Sequence, residues 1–336
     1  MCLLFVQTHG FFIFVKDCGL VGSVNLSCYS QIYVLNCPAK LRQGQTILYR
    51  EVCMAFRVLT EEQQQQWAID GYLVLKDVLS RDEIKLFSKE IDRLHRKHVI
   101  RNPDVDSKKG LDRRNLLPDS DVFIELMDHP AVFDLVLDLM GPYIQLSMAE
   151  GMIRPPLPDY SGFIHTDGGP ALRHIRVTET SWPLQIKIQY FLTDVSKPNS
   201  GNFTLFPGSH LRPFPEGDKP VMADTPGAVQ ISANAGDAAV FAHSLWHGVS
   251  PNLSKRARKS LIYCYSQMCF RPFDFYSQPP EILDRCTPRQ RRLLGDLGEP
   301  SRPASYFYSP KDQVELIEGK STTQRRKKRL VKKAAG

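Results

Sequence analysis

The feature that most constrains the fold of this chain is a change of sequence pattern after Gly141-Pro142. Before that point, apolar residues recur every three or four positions, which is typical of amphipathic helices. After it, short apolar or alternating runs follow one another, separated by Gly, Pro, Asn and Asp, as in strands joined by turns. Helices followed by many short strands predict a mainly β fold with flanking helices, either a barrel or a sandwich with a helical cover.

The helical part begins with a recognisable start signal. Thr60 is followed three residues later by glutamine, which predicts a capping box and a first helix. We expect a short strand at Tyr72–Leu75 and a second helix capped by Ser80. The polar segment Arg101–Asp121 is predicted to be a long loop. One helix or a pair of helices is expected from there to Met140.

The β part is predicted to contain strands that are short and often carry β-branched or aromatic residues at alternate positions. The expected strands are Ile144–Ile153, Gly162–His165, Leu184–Thr193, Asn202–Phe206, Val229–Ser232, Ala238–Ala242 and Lys259–Met268. Beyond them, the sequence is rich in Pro and Arg and predicts an irregular wrap with one short helix near Pro288–Leu294.

These patterns divide the chain into five segments. In order, they are an atypical leader at 1–53, a helical cover at 54–142, a β core at 143–270, a C-terminal wrap at 271–320 and a basic disordered tail at 321–336. The leader shows no sustained helical or strand period, so we hypothesise that the natural chain begins at Met54. Removal of the leader should then leave folding and activity intact.

The net charge of +7 comes from one end of the chain. Seven basic residues and no acidic ones lie between Arg325 and Lys333, and without them the formal net charge is zero. The folded body is therefore not expected to bind nucleic acid. The tail is equally compatible with a nuclear address, a contact with a polyanion, or a solvated end.

Cysteine usage and hydropathy bear on the compartment. Five of the eight cysteines precede residue 54, and the other three, Cys264, Cys269 and Cys286, show no CxxC pair and no histidine at zinc-finger spacing. We interpret them as free thiols in a reducing compartment. No stretch approaches the roughly 20 apolar residues of a membrane span. The sequence predicts an intracellular, cytoplasmic protein, and the basic tail leaves a nuclear location open.

A candidate metal site begins at Phe163-Ile164-His165-Thr166-Asp167. If His165 ends a strand, the period of two places His165 and Asp167 on the same face, where both can bind one metal ion. Gly168 and Gly169 then let the chain turn without a Cβ near the metal. By itself this pattern is weak, because it arises by chance in many chains, and taken alone it favours a surface turn with a hydrogen-bonded histidine.

Support comes from a distal histidine, His247, which follows the apolar run Ala238–Ala242. Two histidines and one carboxylate on one face form a facial triad, which leaves open positions on iron(II) for O2 and a bidentate co-substrate. Zinc prefers a closed tetrahedron or a single open position, so iron fits better. Arg258, eleven residues later, is suited to bind a carboxylate of that co-substrate through its planar fork. A solvated position in a basic cluster is its alternative.

Around these residues the sequence resembles the phytanoyl-CoA dioxygenase family of iron(II)- and 2-oxoglutarate-dependent oxygenases. The resemblance spans roughly residues 64–270. It rests on four motifs in the same order, namely Gly71-Tyr72-Leu73-Val74-Leu75, His165-x-Asp167, Gly201 with Pro207-Gly208-Ser209-His210, and His247-Gly248-x-Ser250-Pro251-Asn252 followed by Arg258.

The resemblance implies a double-stranded β-helix, the jelly-roll or cupin-like barrel. It implies that His165, Asp167 and His247 form the catalytic Fe(II) site and that 2-oxoglutarate and O2 are co-substrates. A small organic or lipid-like molecule would be hydroxylated, with release of succinate and CO2. By the same resemblance, Arg258 should bind the distal carboxylate of 2-oxoglutarate, and Tyr190 should lie beside that co-substrate.

The chain departs from its relatives at Val249, where several carry a serine that helps to hold the co-substrate carboxylate. Asp167 is intact, which disfavours halogenation, because halogenating relatives replace that carboxylate. His210 and His243 are interpreted as structural rather than as further ligands. Two alternatives stay open: a cupin-type metalloenzyme that does not use 2-oxoglutarate, and an inactive barrel that acts as a binding protein.

Overall fold

The computed structural model describes most of the chain between residues 58 and 317. The described residues are 58–102, 110–159, 162–169, 172, 174–175, 178, 181–215, 217, 220–297 and 311–317. The expected leader at 1–53, the hypothesised start at Met54 and the expected basic tail at 321–336 lie outside these residues.

Seven α-helices lie within the described residues. They are α1 (Glu61–Asp70), α2 (Arg81–Arg101), α3 (Asp121–Glu125), α4 (Phe133–Met140), α5 (Pro280–Leu283), α6 (Pro288–Leu293) and α7 (Lys311–Ile317). The predicted caps Thr60 and Ser80 both form complete capping boxes. The region before Met140 forms a pair of helices, separated by a 3₁₀ turn (Leu126–Asp128) and by His129, whose extended backbone suits a residue that precedes proline.

Most strands within the described residues overlap strands that were predicted from the sequence. They are β1 (Tyr72–Leu75), β2 (Leu111–Arg113), β3 (Ile144–Arg154), β4 (Gln185–Phe191), β5 (Phe203–Leu205), β6 (Val229–Gln230), β7 (Ala238–Ala242), β8 (His247–Val249) and β9 (Arg258–Gln267). Three expectations were wrong. The C-terminal wrap, expected to contain one short helix near Pro288–Leu294, also contains α5 and α7. The segment expected to be a loop contains β2, which pairs with β3, and the expected strand Gly162–His165 forms only isolated bridges at Phe163 and His165.

The strands form two antiparallel sheets. The larger has the order β1-β7-β4-β9-β3-β2, and the smaller has the order β6-β5-β8. The sheets pack face to face over an apolar layer, in which the rings of Phe203 and Phe241 lie 4.6 Å apart. This arrangement is the jelly roll of a double-stranded β-helix, so the fold class predicted from the sequence is confirmed.

The two faces of the larger sheet have different roles. On β9, Tyr263 and Tyr265 point toward the helices, where their hydroxyl groups donate to the carbonyls of Phe123 and Met127, each at 2.7 Å. The alternate residues, including Arg258 and Cys264, therefore point to the opposite, interior face. The helices thus cover one side of the larger sheet, and its other side is left to form a site.

Membrane insertion by a helix finds no support in the described part of the chain. None of its helices combines the length and the apolar character that a bilayer span requires.

Candidate metal centre

His165 and His247 face each other on two antiparallel segments. The amide of His165 donates to the carbonyl of His247 at 2.8 Å, and the amide of His247 donates back to His165 at 2.9 Å. A residue pair that exchanges both hydrogen bonds holds its side chains side by side. The two imidazole rings accordingly lie with their centroids 4.4 Å apart. The backbone therefore sets this pair of histidines before any metal is considered.

Two glycines permit the close approach of these segments. A Cβ on Gly248 would lie 2.6 Å from the carbonyl oxygen of Phe163, and a Cβ on Gly162 would lie 2.3 Å from that of Val249. Both distances are shorter than carbon and oxygen tolerate, so any larger residue would push the segments apart. The glycine after His247 in the sequence motif is thus needed to keep His247 against His165.

Asp167 completes the cluster from the same segment as His165. Its amide donates to the carbonyl of His243 at 2.9 Å, which ties this end of the segment to the turn that precedes His247. One ligand atom from each of His165, Asp167 and His247 lies within 4.8 Å of the others. The Asp167 Oδ2 atom lies 3.7 Å from His247 Nε2. This spacing suits three ligands of one metal ion.

The hydrogen bonds leave ligand atoms unused. His247 Nδ1 lies 2.8 Å from the carbonyl oxygen of Leu245, and because a carbonyl only accepts, Nδ1 carries the proton and the lone pair is on Nε2. Asp167 Oδ2 and His165 Nδ1 are buried and have no hydrogen-bond partner among the described residues. Buried polar atoms without partners are rare in native proteins, so these point to a bound group. The donor set of two imidazoles and one carboxylate fits iron(II).

The electrostatics keep these groups in the protonation states of metal ligands. Burial lowers the pKa of His247 to about 4, against the opposing influence of Asp167. Burial also lowers the pKa of His165. At Asp167 burial acts to raise the pKa, but the charge and the hydrogen bond of Lys187 act against it, and the pKa lies below its usual value. Neutral imidazoles and an ionised carboxylate are the forms that bind a metal.

Lys187 is a part of the site that the sequence analysis missed. It lies on β4, opposite Cys264 of β9, and its ammonium group contacts Asp167 Oδ1 at 2.5 Å. Only 14% of its side chain is exposed. The signal in the sequence is a lysine at the centre of a strand of otherwise uncharged residues. A charge at such a position is rarely buried unless it is paired.

Arg258 lies on the same interior face, at the start of β9. It is 5% exposed, and its Nη2 lies 3.8 Å from the sulfur of Met152. No ion pair joins it to an acidic side chain in the described part of the chain, and its Nε has no hydrogen-bond partner there. Burial and then Arg154 lower the pKa of Arg258 to about 10, against the influence of Glu150. A buried guanidinium in this condition requires an anion.

Further polar atoms share that face. Glu150 lies opposite Ile262 and Gln189 lies opposite the same residue from the other side, so both point into the interior with Arg258. Glu150 Oε1, Gln189 Nε2 and the hydroxyl of Ser260 are buried without hydrogen-bond partners among the described residues. The interior thus offers a set of polar contacts beside a fixed cation.

Tyr190 does not belong to this set. It alternates with Lys187 and Gln189 along β4 and therefore points to the helix-covered face, where its ring lies 6.1 Å from that of Tyr263. It is fully buried in the apolar core between the larger sheet and the helices. The expectation that Tyr190 lies beside the co-substrate disagrees with the strand register. Neighbouring residues of a strand point to opposite faces, and Tyr190 is on the face away from the interior.

A narrow cleft adjoins Asp167 on the outer side of the site. Its lining includes Thr166, His210, Arg212, Phe214, His243 and Ser244. The guanidinium of Arg212 lies 5.1 Å from the ring centroid of Trp246, and the ring of Phe214 lies 5.5 Å from that of Trp246. His210 and His243, interpreted from the sequence as structural, thus lie at the cleft and are not among the three clustered ligands.

Comparison with known proteins places this geometry in context. The family model for phytanoyl-CoA dioxygenase (PhyH) matches residues 67–260, more than half of the chain. A relative named dioxygenase cdmA, from Talaromyces verruculosus, is 27% identical over 251 residues, which cover 67% of this chain and 79% of that protein. Dioxygenase trt7 from Aspergillus terreus is 25% identical over 240 residues, which cover 67% of this chain and 80% of that protein.

Among solved structures, the chain is similar to HygX from Streptomyces hygroscopicus, whose structure contains nickel and 2-oxoglutarate. The TM-score is 0.54 at 21% sequence identity, and the match covers 64% of this chain and 89% of HygX. At this identity the likeness concerns the fold, and it agrees with the jelly roll described above.

Proposed function

Since this chain belongs to the phytanoyl-CoA dioxygenase family, we propose that it is an iron(II)- and 2-oxoglutarate-dependent dioxygenase that hydroxylates a small organic or lipid-like substrate. The observation that carries the proposal is the convergence of His165, Asp167 and His247 on one interior point, with ligand atoms that lie within 4.8 Å of one another. The relatives named dioxygenases and the iron-compatible donor set support it.

In this proposal His165, Asp167 and His247 hold the ferrous ion. When bound there with 2-oxoglutarate, the ion supplies the activation of O2 that inserts one oxygen atom into a substrate C–H bond, with release of succinate and CO2. The share of this chain is to fix three ligands and keep the imidazoles neutral. The Leu245 carbonyl orients His247, and the hydrogen-bonded pair with His165 fixes the angle between the rings.

Arg258 is proposed to bind the distal carboxylate of 2-oxoglutarate. It provides a buried cation without an acidic partner in the described residues, and a carboxylate can occupy its planar fork with two parallel hydrogen bonds. Gln189 and Ser260 offer further uncharged contacts on the same face. Val249 provides no hydroxyl at the position where several relatives have serine, so Arg258 carries a larger share of co-substrate binding here.

The substrate is proposed to approach through the cleft beside Asp167. Its walls combine apolar side chains with polar ones, as expected for an organic molecule that carries an oxygen function. A solved structure of HygX contains hygromycin B, a small molecule, together with nickel and 2-oxoglutarate, and a cleft of this kind suits a small molecule here as well.

The test is turnover of 2-oxoglutarate by the purified full-length protein. With Fe(II), O2 and 2-oxoglutarate supplied, we expect succinate to form even without the substrate, at the slow uncoupled rate, and to form faster when a mixture of candidate substrates contains the right one. An Asp167→Ala variant should form none. Folded, iron-loaded protein that forms no succinate under any of these conditions would overturn the assignment and favour a metalloenzyme of another kind.

A further inference from the structure

Lys187 has no part in the chemistry proposed so far, yet it contacts a metal ligand directly. Its ammonium group lies 2.5 Å from Asp167 Oδ1 on the interior face of the larger sheet, and 14% of the Lys187 side chain is exposed. Burial of a lysine is costly, and the ion pair with Asp167 compensates for it. Such a pair either serves stability alone or adjusts the carboxylate that it holds.

The two oxygen atoms of Asp167 have different surroundings. Oδ1 accepts the hydrogen bond from Lys187, whereas Oδ2 has no hydrogen-bond partner in the described residues and lies 3.7 Å from His247 Nε2. The side of the carboxylate that faces the histidines is therefore the free one. With Oδ1 occupied by Lys187, one oxygen remains for a metal ion.

The charges at the site also depend on Lys187. The carboxylate of Asp167 carries one negative charge, and the ammonium group of Lys187 lies 2.5 Å from its Oδ1. Lys187 cancels that charge, and Arg258 adds another positive group on the same face. A nearby positive charge disfavours a trivalent ion more than a divalent one, because the repulsion grows with the charge of the ion.

We propose, on the premise of the function proposed above, that Lys187 is a positioning residue that keeps Asp167 a one-oxygen ligand and favours the ferrous over the ferric state. It does so at some cost in metal affinity. The benefit is that two-oxygen binding by Asp167 is prevented, which leaves coordination positions open for the co-substrate and O2.

Three substitutions separate the two parts of this role. Lys187→Met removes both the charge and the hydrogen bond while retaining an unbranched apolar chain of similar length. Lys187→Gln removes the charge but retains a hydrogen-bond donor for Asp167. Lys187→Arg retains both. Lys76→Met is the control. Lys76 also forms an ion pair with an aspartate, Asp237, at 2.8 Å, but this pair lies away from the triad.

The measurement uses the full-length protein and cobalt(II) as an oxygen-stable probe. We expect Lys187→Met and Lys187→Gln to bind cobalt(II) about tenfold more tightly or better than the wild type. The visible cobalt spectrum should change in the Met variant and stay close to wild type in the Gln variant. The midpoint potential of the bound iron should become more negative in both. Lys187→Arg and Lys76→Met should match the wild type.

The outcomes are distinct. Unchanged or weaker cobalt binding in both neutral variants, with an unchanged iron potential, would show that Lys187 serves stability alone and would overturn the inference. A wild-type protein that is folded but binds neither cobalt(II) nor iron(II) would instead overturn the proposed function. If Lys187→Met does not fold, the comparison of Lys187→Gln with Lys187→Arg still decides the effect of the charge.

Discussion

Arg258 lies directly opposite Arg154 across the antiparallel pair of β9 and β3, so two guanidinium groups share one interior face of the sheet. Like charges in this position repel each other. Arg154 is neutralised by Asp112, whose Oδ2 lies 3.0 Å from its Nη2, but Arg258 has no such ion pair in the described residues. The pair therefore leaves one buried positive charge for a ligand, and this is the main support for a dicarboxylate co-substrate.

Loss of that charge should weaken co-substrate binding specifically. We expect Arg258→Gln to raise the KM for 2-oxoglutarate by about tenfold or more, because a charge-assisted hydrogen-bonded pair contributes roughly 1.5–3 kcal/mol. Iron binding should be unchanged, since Arg258 is not one of the three clustered ligands. Steady-state succinate formation measures the first quantity and a metal titration the second. Arg256→Gln, at an exposed position two residues earlier, is the control and should keep the wild-type KM.

Glu150 gives the folded protein a pH dependence. Burial, reinforced by the hydrogen bond and charge of Asp112, raises its pKa from 4.5 to about 8. Between these pH values the folded protein holds a proton that the unfolded chain has lost, so the free energy of unfolding decreases as pH rises through this window. Glu150→Gln should remove this dependence. Thermal unfolding should give similar midpoints for both proteins at pH 4.5 and a higher midpoint for the variant at pH 9; parallel pH profiles would contradict the argument.

Gly248 tests the backbone contact behind the paired histidines. In Gly248→Ala the new Cβ would meet the Phe163 carbonyl at 2.6 Å, so the segments of His165 and His247 must separate. We expect metal affinity to fall by about tenfold or more while the protein remains folded, because ligand geometry is sensitive to small shifts. Gly217→Ala, where a Cβ meets nothing within 4 Å, should bind metal like the wild type. Equal affinity in all three proteins would show that the contact yields without moving the histidines.

The corrected position of Tyr190 is testable against Tyr263. Tyr190→Phe should leave the KM for 2-oxoglutarate unchanged, because the side chain lies on the helix-covered face, and it should not reduce stability, since its hydroxyl has no hydrogen-bond partner in the described residues. Tyr263→Phe loses the hydrogen bond to Phe123 and should lower the free energy of unfolding by about 1 kcal/mol. A raised KM in Tyr190→Phe would restore the original expectation. For both variants, denaturant unfolding measures the free energy of unfolding, and succinate assays measure the KM for 2-oxoglutarate.

Local patterns in the sequence predicted much of the fold. The capping boxes at Thr60 and Ser80 start helices where expected, and alternation located β4, β7 and β9. Strand β2 could not be predicted from its own residues, because it exists only through pairing with β3. Its polar sequence, taken alone, predicts a loop, and only the partner strand shows that it is a strand.

In the site, too, some residues could be predicted from one segment of the sequence, and others depend on how distant strands pair. His165 and Asp167 could be paired by strand period alone, since both lie on one short segment. Lys187 and Tyr190 depend on which face of β4 turns inward, and this is set by the register with β7 and β9. The resemblance to relatives suggested an aromatic residue near this position but could not say which face it occupies.

The central claim is that His165, Asp167 and His247 hold iron(II) and that Arg258 orients 2-oxoglutarate beside it. Anaerobic addition of Fe(II) and then 2-oxoglutarate to the purified protein tests this most directly, through the weak visible charge-transfer band of the chelate. We predict that the band appears with the wild type, is lost in His247→Ala, and needs a higher 2-oxoglutarate concentration in Arg258→Gln. A folded wild-type protein that binds iron(II) but gives no band at saturating 2-oxoglutarate would contradict the account.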